Sequence, residues 1–347
     1  MNGCLEAAEA GVLEAQIKLG DYFMKMDKYH EPDTVQALFW YKAAAQQGNA
    51  YAQYQLGKLY ETIYEDEKST EEWYLKSATQ GFPDAFYSLG RYYYIKDFED
   101  KAIIWLEKSA NEDNPNAMYI LGLIHENHEE YLKAYSWYKK AADKGSAWGQ
   151  RQLGFLYLLG RGVPRTPQRA FELFSLAEEQ GDSEAQWALG YMYEQGEGVR
   201  QNYQMAIHWY TLSHEQGNST APRRLGFLYE YGNGVPKDLS KAAEYYQIAI
   251  ERGNESAKKD LTRLKIMENP WYVTDIVKRI IIEKLGVKEY EAHTFATLED
   301  LGADELDAVE LTMELEKEFD ISLPDESTEL KTTVGDIIHY VQKELGI

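Results

Sequence analysis

Cysteine is almost missing from this sequence: Cys4 is the only one in 347 residues. A disulfide within the chain is therefore excluded, and so is a zinc site built on cysteines. Apolar runs are short as well, and none approaches the roughly 18 residues that a bilayer-spanning helix requires. The opening Met1-Asn2-Gly3-Cys4-Leu5-Glu6 has no basic start followed by an apolar stretch, so a soluble, cytoplasmic protein is expected, with Cys4 a small helix residue and not a point of lipid attachment. Basic charge is scarce too. Lys and Arg number 36 against 58 Asp and Glu, a formal charge of −22. Such an excess of acid repels nucleic acid and anionic membrane and favours protein partners with basic surfaces.

Motifs for chemistry are also lacking. His125-Glu126-Asn127-His128 is one residue too short for the helical zinc motif with two residues between Glu and the second His, and His30, His208, His214, His293 and His339 are scattered. No metal site, cofactor or catalytic constellation is expected. The Gly-x-Gly-Val stretches lie between predicted helices and not after a strand, which excludes a phosphate-gripping loop.

What is present is a repeat. Leu-Gly recurs at Leu19-Gly20, Leu56-Gly57, Leu89-Gly90, Leu121-Gly122, Leu153-Gly154, Leu189-Gly190 and Leu225-Gly226, at intervals of 32 to 37 residues. Around each anchor the apolar positions, such as Ala185, Leu189 and Met192, fall on one helical face. The glycine costs about 1 kcal/mol of helix propensity against alanine, which close packing has to offset. A second apolar block follows, as in Ala37-Leu38-Phe39-Trp40-Tyr41, and ends at Gly48, Gly81, Gly145, Gly181, Gly217 or Gly253, the residue that closes a helix in a left-handed conformation. Each unit therefore reads as two antiparallel helices. Gly160-Arg161-Gly162-Val163-Pro164, Gly196-Glu197-Gly198-Val199 and Gly232-Asn233-Gly234-Val235-Pro236 provide longer turns that the middle units lack. Of the 28 Tyr and 8 Trp, most are expected at packing positions such as Trp40, Trp73, Trp105, Trp137 and Trp209. Tyr92-Tyr93-Tyr94 is expected to expose at least one ring, since successive helical residues point about 100° apart.

Residues 1–266 thereby resemble the Sel-one-like repeats, relatives of the tetratricopeptide repeats. The resemblance implies a solenoid of about seven helix pairs with a terminal cap, protein binding, and no chemistry.

After Glu268-Asn269-Pro270, where proline interrupts the helix, the pattern changes. Residues 271–347 carry 19 acidic side chains against 7 basic. Thr274 is expected to cap a helix ending at Gly286. A loop anchored by Phe295 and Leu298 follows, then the turn Leu301-Gly302-Ala303-Asp304 and a second helix from about Glu305 to Phe319. In it Leu306, Val309, Met313 and Leu315 are assigned apolar contacts, and Asp307, Glu310, Glu314 and Glu316 face water. A short segment after Pro324-Asp325-Glu326 and a last helix, Val334 to Leu345, opened by Thr333, complete a small four-helix bundle. The fold class is all-α: a helix-pair solenoid followed by that bundle.

The order of these elements, with Phe319-Asp320-x-x-Leu323-Pro324-Asp325-Glu326 and Thr332-Thr333-Val334, resembles the acyl carrier proteins along 271–347. In that family the Gly-Ala-Asp turn is followed by the serine to which phosphopantetheine is attached; here Asp304 is followed by Glu305 and Leu306. A carboxylate offers no hydroxyl for that transfer, and Thr312, Ser322 and Ser327 lie seven or more residues downstream. Two readings of Glu305 stay open: an acid favoured by the helix dipole, or a fixed negative charge standing where a loaded carrier bears its phosphodiester. The resemblance further implies a docking surface for basic proteins made of Glu305, Leu306, Glu310, Met313, Glu314 and Glu316, with Lys317 departing from the family's usual acid. The expected function is a non-catalytic interaction scaffold whose unloaded carrier-like domain docks on carrier-binding or other basic proteins. Two alternatives remain: an immunity protein that neutralises a basic toxin, and a true acyl carrier whose attachment serine has been replaced.

Overall fold

The computed structural model describes residues 2–25, 31–269 and 271–346; the expected proline break at Pro270, like His30, lies outside them. Nineteen α-helices and no strand occur among the described residues. The chain divides into two compact units, Met1–Asp182 and Ser183–Ile347. The first holds a single helix, Asn2–Glu9, and five helix pairs from Leu13–Met24 with Thr34–Gln46 to Ala147–Leu159 with Pro167–Glu178. The second holds two pairs, Ser183–Gln195 with Tyr203–Glu215 and Ala221–Tyr231 with Leu239–Glu251, then Ser256–Glu268 and the bundle.

The glycine after each leucine marks where the two helices of a pair come together. A Cβ built on Gly190 or Gly226 would lie 2.7 Å from the ring of Tyr210 or Tyr246, and one on Gly154 2.8 Å from Phe174. The partner is therefore the residue after tryptophan. Tyr41, Tyr74, Leu106, Tyr138 and Tyr210 are fully buried, whereas Trp73, Trp105, Trp137 and Trp209 are only half-buried and Trp40 alone is enclosed. The ammonium groups of Lys76, Lys108 and Lys140 cover the rings of Trp73, Trp105 and Trp137 at 4.3, 4.0 and 4.0 Å. These rings thus pack against the core as expected, but at its edge and half-buried, each with a cation over its face.

A buried phenol needs an acceptor. Tyr74, Tyr138, Tyr210 and Tyr246 donate to Glu61, Glu126, Glu194 and Glu230 at 2.6–2.7 Å, and each of these acids stands four residues after its repeat's glycine. Tyr41 donates to Asp21 at 2.7 Å. Where the ring position is Leu106 or Phe174, with no hydroxyl, that place holds Tyr94 or Leu158. An arginine from further along the chain then joins each acid: Arg91 to Glu61 at 2.5 Å, Arg161 to Glu126 at 3.6 Å, Arg224 to Glu194, and Arg263 to Glu230 at 2.8 Å. These contacts tie one repeat to the next.

Burial, then the neighbouring carboxylate, pushes the phenols of Tyr41, Tyr74, Tyr138 and Tyr246 well above the tyrosine range, and Tyr210 likewise. The folded state therefore holds these protons more tightly than the unfolded chain does. Their contribution to stability is complete below the unfolded tyrosine value of about 10 and is lost as pH rises beyond it. Thermal unfolding should show a midpoint that falls steeply above about pH 10, and Tyr246→Phe should make that fall shallower.

Tyr92 and Tyr93 are both buried and Tyr94 half-buried, contrary to the expected exposure. Their helix, Pro83–Ile95, is flanked on several sides, and Tyr93 reaches Glu71 at 2.8 Å while Tyr92 donates to the carbonyl of Glu67. The closing glycines all have φ between 81° and 90°, and Asp113 takes the same place at 64°.

The bundle consists of Tyr272–Leu285, Glu305–Phe319, the single 3₁₀ turn Asp325–Thr328 and Val334–Leu345. Thr274 lies inside the first helix, whose start has no side-chain cap. Thr333 caps the last one in a reciprocal pair with Asp336. Phe295, expected to anchor the loop, is 85% exposed, while Leu298 is buried. Ile266, in the helix before the bundle, packs against the bundle core.

Candidate functional site

The loop before Glu305 is held from below by the start of the last helix. Leu298 N–H donates to Thr332 O at 3.1 Å, Val334 N–H to Ala296 O at 2.9 Å and Gly335 N–H to Thr294 O at 2.8 Å. Gly335 must be glycine here, since a Cβ would meet the Thr294 carbonyl oxygen at 2.8 Å. Thr297 and Asp300 exchange hydrogen bonds of 3.0 and 3.1 Å, and the backbone N–H of Thr297, followed by its side chain, holds the Asp300 carboxyl below its usual range. Asp304 then caps the second helix: its Oδ1 accepts from Asp307 N–H at 2.9 Å, while Asp307 Oδ2 accepts from Asp304 N–H at 3.0 Å.

Glu305 is the first residue of that helix and is exposed. Acids at this end oppose the positive pole of the helix dipole, a gain of about 0.3–1 kcal/mol each. A groove lined by Glu299, Glu305, Val309, Glu329, Leu330 and Lys331 runs alongside. The helix buries Ala308, Leu311, Thr312, Leu315 and Phe319. Leu306 and Met313, which the resemblance assigns to an outward-facing surface, are 66 and 62% exposed, and Val309, assigned only an apolar contact, is 43% exposed.

At positions i, i+3 and i+7 these three side chains share one face, and the exposed carboxylate of Glu310 stands among them. Glu314 is half-buried and 3.8 Å from Lys284 on the first bundle helix. Glu316 turns the other way, accepting Leu323 N–H at 2.7 Å and so tying down the chain after the helix. The structure thus gathers Glu305, Leu306, Glu310 and Met313, adds Val309, and places Glu314 and Glu316 at the flank. Val309 was missed because Leu306, Val309 and Met313 have the same helical spacing as the true core face, whose Ala308 and Thr312 are small or polar. The signal was that only the other register continues to Phe319.

The first turn presents carboxylates and a leucine. Thr312 is buried, donates to Ala308 O at 3.0 Å and lies 3.4 Å from the equally buried Ser327; Ser322 is exposed beyond the far end of the helix. His125 and His128 are each 2.6 Å from a carboxylate, Glu130 and Glu99 respectively. Among the described residues no three His, Cys, Asp or Glu groups gather as a metal site would require, and no helix is long and apolar enough to cross a membrane.

Residues 275–341 match the phosphopantetheine attachment site family. A protective antigen present in uropathogenic Escherichia coli strains, displaying an SLR fold, is similar at a TM-score of 0.66 and 25% identity over 94% of this chain and 77% of that one. A Sel1 repeat protein from Oxalobacter formigenes is similar at a TM-score of 0.62 and 27% identity, over 77% and 80%. An immunity protein from Pseudomonas aeruginosa, at a TM-score of 0.31, 20% identity and coverage of 70% and 82%, is too loosely similar to bear on function. The Sel1 repeat matches seven times, at 13–49, 50–82, 85–114, 115–146, 149–182, 183–218 and 221–254, and with these seven matches covering more than half of its length, the chain belongs to the Sel1 repeat family.

Proposed function

We propose that the chain is a non-catalytic interaction scaffold, with a repeat domain over 1–266 and a carrier-like domain over 271–347 that takes no phosphopantetheine. The carrier-like domain serves as a recognition element. Its docking face is Leu306, Val309, Glu310 and Met313 with Glu305 at the edge, and its partner is a protein whose apolar patch is rimmed by Lys or Arg. The observation that carries this reading is the exposure of three large apolar side chains on one helical face beside the exposed carboxylates of Glu305 and Glu310. Exposed apolar groups cost solubility, and in such a grouping they mark contact surfaces, while the acids steer a basic partner by charge. Glu305 supplies a fixed negative charge at the site where a loaded carrier is anionic.

A phosphopantetheinyl transferase with a basic carrier-docking surface provides the test. Titration calorimetry should show binding without modification, weakened about tenfold or more by Met313→Ser with Leu306→Ser, and weakened again by raising salt. Binding that is absent, or indifferent to all three changes, sinks the docking face.

A further inference from the structure

The repeats keep one architecture while varying the turn between their two helices. Gly90 to Trp105 and Gly122 to Trp137 span 15 residues each; Gly57 to Trp73 spans 16. The extra residue is taken up in a π-helical turn, Tyr60–Tyr64, because an i→i+5 turn holds one residue more than an α-helical one. It is closed by Glu65 in the left-handed region, φ 50°, a conformation glycine adopts more readily.

Large apolar side chains stand in water at this turn and at the next one. Ile63 and Tyr64 on this turn are 51 and 39% exposed, and Ile95 and Phe98 at the turn of the next repeat 58 and 53%. Beside them opens a cavity of about 390 Å³ with Tyr92 and Ile95 in its wall, three carboxylates, Glu61, Glu65 and Glu67, and one ammonium, Lys96. Glu61 is satisfied by Tyr74 and Arg91, and Glu67 by Lys96. Among the described residues the Glu65 carboxylate has neither an ion pair nor a hydrogen bond, so the unmatched charge beside this apolar wall is negative.

We propose that this face of the second and third repeats is a docking site for a segment of a partner protein in which a lysine or arginine adjoins an apolar residue. The aliphatic side chain packs on Ile95 beside Tyr92, and the cation enters the cavity toward Glu65. The proposal rests on the reading of the repeats as a protein-binding scaffold and does not depend on the bundle.

The test uses the full chain with ¹³C-labelled isoleucine methyl groups, titrated with N-acetyl-leucyl-arginine amide and, separately, N-acetyl-leucyl-glutamate amide. Saturable shifts are expected at the Ile95 methyl groups with the basic dipeptide, and binding of the acidic one should be at least about fivefold weaker. Glu65→Gly relieves the left-handed strain, so its thermal midpoint should hold or rise while affinity for the basic dipeptide drops about fivefold. That opposition separates a binding role from a structural one, and Ile95→Ser with an otherwise unchanged methyl spectrum checks the apolar wall. No shift at these methyl groups, an equal response to both dipeptides, or undiminished affinity in Glu65→Gly overturns the proposal. Loss of transferase binding by the bundle would leave these outcomes untouched.

Discussion

Gly190→Ala should lower the thermal midpoint, although helix propensity alone predicts a gain of about 1 kcal/mol for the change. The added methyl would meet the ring of Tyr210 at 2.7 Å. That ring is fully buried, and its hydroxyl is held by Glu194 at 2.7 Å, so it cannot retreat without giving up the bond. Overpacking of this kind costs about 1–3 kcal/mol, and a ring that retreats instead gives up a hydrogen bond to a charged acceptor worth about 1.5–3 kcal/mol. Either outcome offsets the helix gain. A net loss of about 1–2 kcal/mol is expected, read by hydrogen exchange in Ser183–Gln195 and Tyr203–Glu215. The helix Ser256–Glu268 supplies the control, because its Ala257, Leu261 and Leu264 repeat the spacing of Ala221, Leu225 and Leu228, with Thr262 in the glycine's place. Thr262→Gly should destabilise by about 0.5–1 kcal/mol through backbone entropy, the opposite preference at the equivalent position.

Removal of a buried acid should cost more. Glu194 has a side chain only 4% exposed and accepts hydrogen bonds from both Tyr210 and Arg224. Glu194→Ala leaves a guanidinium and a phenol without their acceptor, and about 3 kcal/mol of stability should be lost, the lower end for a broken buried pair because Arg224 keeps some contact with water. Tyr210→Phe removes one donor but leaves the acid paired, so about 1–2 kcal/mol is expected. Glu194→Ala combined with Arg224→Ala should be milder than the sum of the two, since the second change removes the stranded charge. Hydrogen exchange in Ser183–Gln195 and Tyr203–Glu215 is the suitable readout, because a chain of two compact units need not unfold in a single step. Equal exchange in wild type and Glu194→Ala would show that this contact does not hold the repeats together.

The repeat was legible in the sequence because its signal is steric and periodic. A glycine that must admit a ring recurs at a fixed distance from its leucine, and turn length accounts for the intervals. The identity of the ring was not legible, since Trp40-Tyr41 and its counterparts place two aromatics side by side and only the helix crossing decides which one points inward. Nor was the pairing of Tyr210 with Glu194, sixteen residues away and meaningful only across a turn. Asp113 hid the closing position of the third repeat because aspartate also tolerates the left-handed conformation.

In the bundle the helix ends were plain. Asp304 with Asp307, and Thr333 with Asp336, are local capping pairs that need no tertiary information. The resemblance placed Leu306 and Met313 on an outward face, and both are exposed; Val309 and Phe295 were assigned apolar contacts on hydrophobicity alone, which does not tell a solvent-facing apolar side chain from a core one.

The account turns on position 305, and intact-mass spectrometry addresses it directly. The full chain is incubated with coenzyme A and a promiscuous phosphopantetheinyl transferase, in parallel with Glu305→Ser. An unchanged mass for the chain with Glu305, beside a phosphopantetheine adduct on Glu305→Ser, is the predicted result; an adduct on the chain with Glu305 would contradict it.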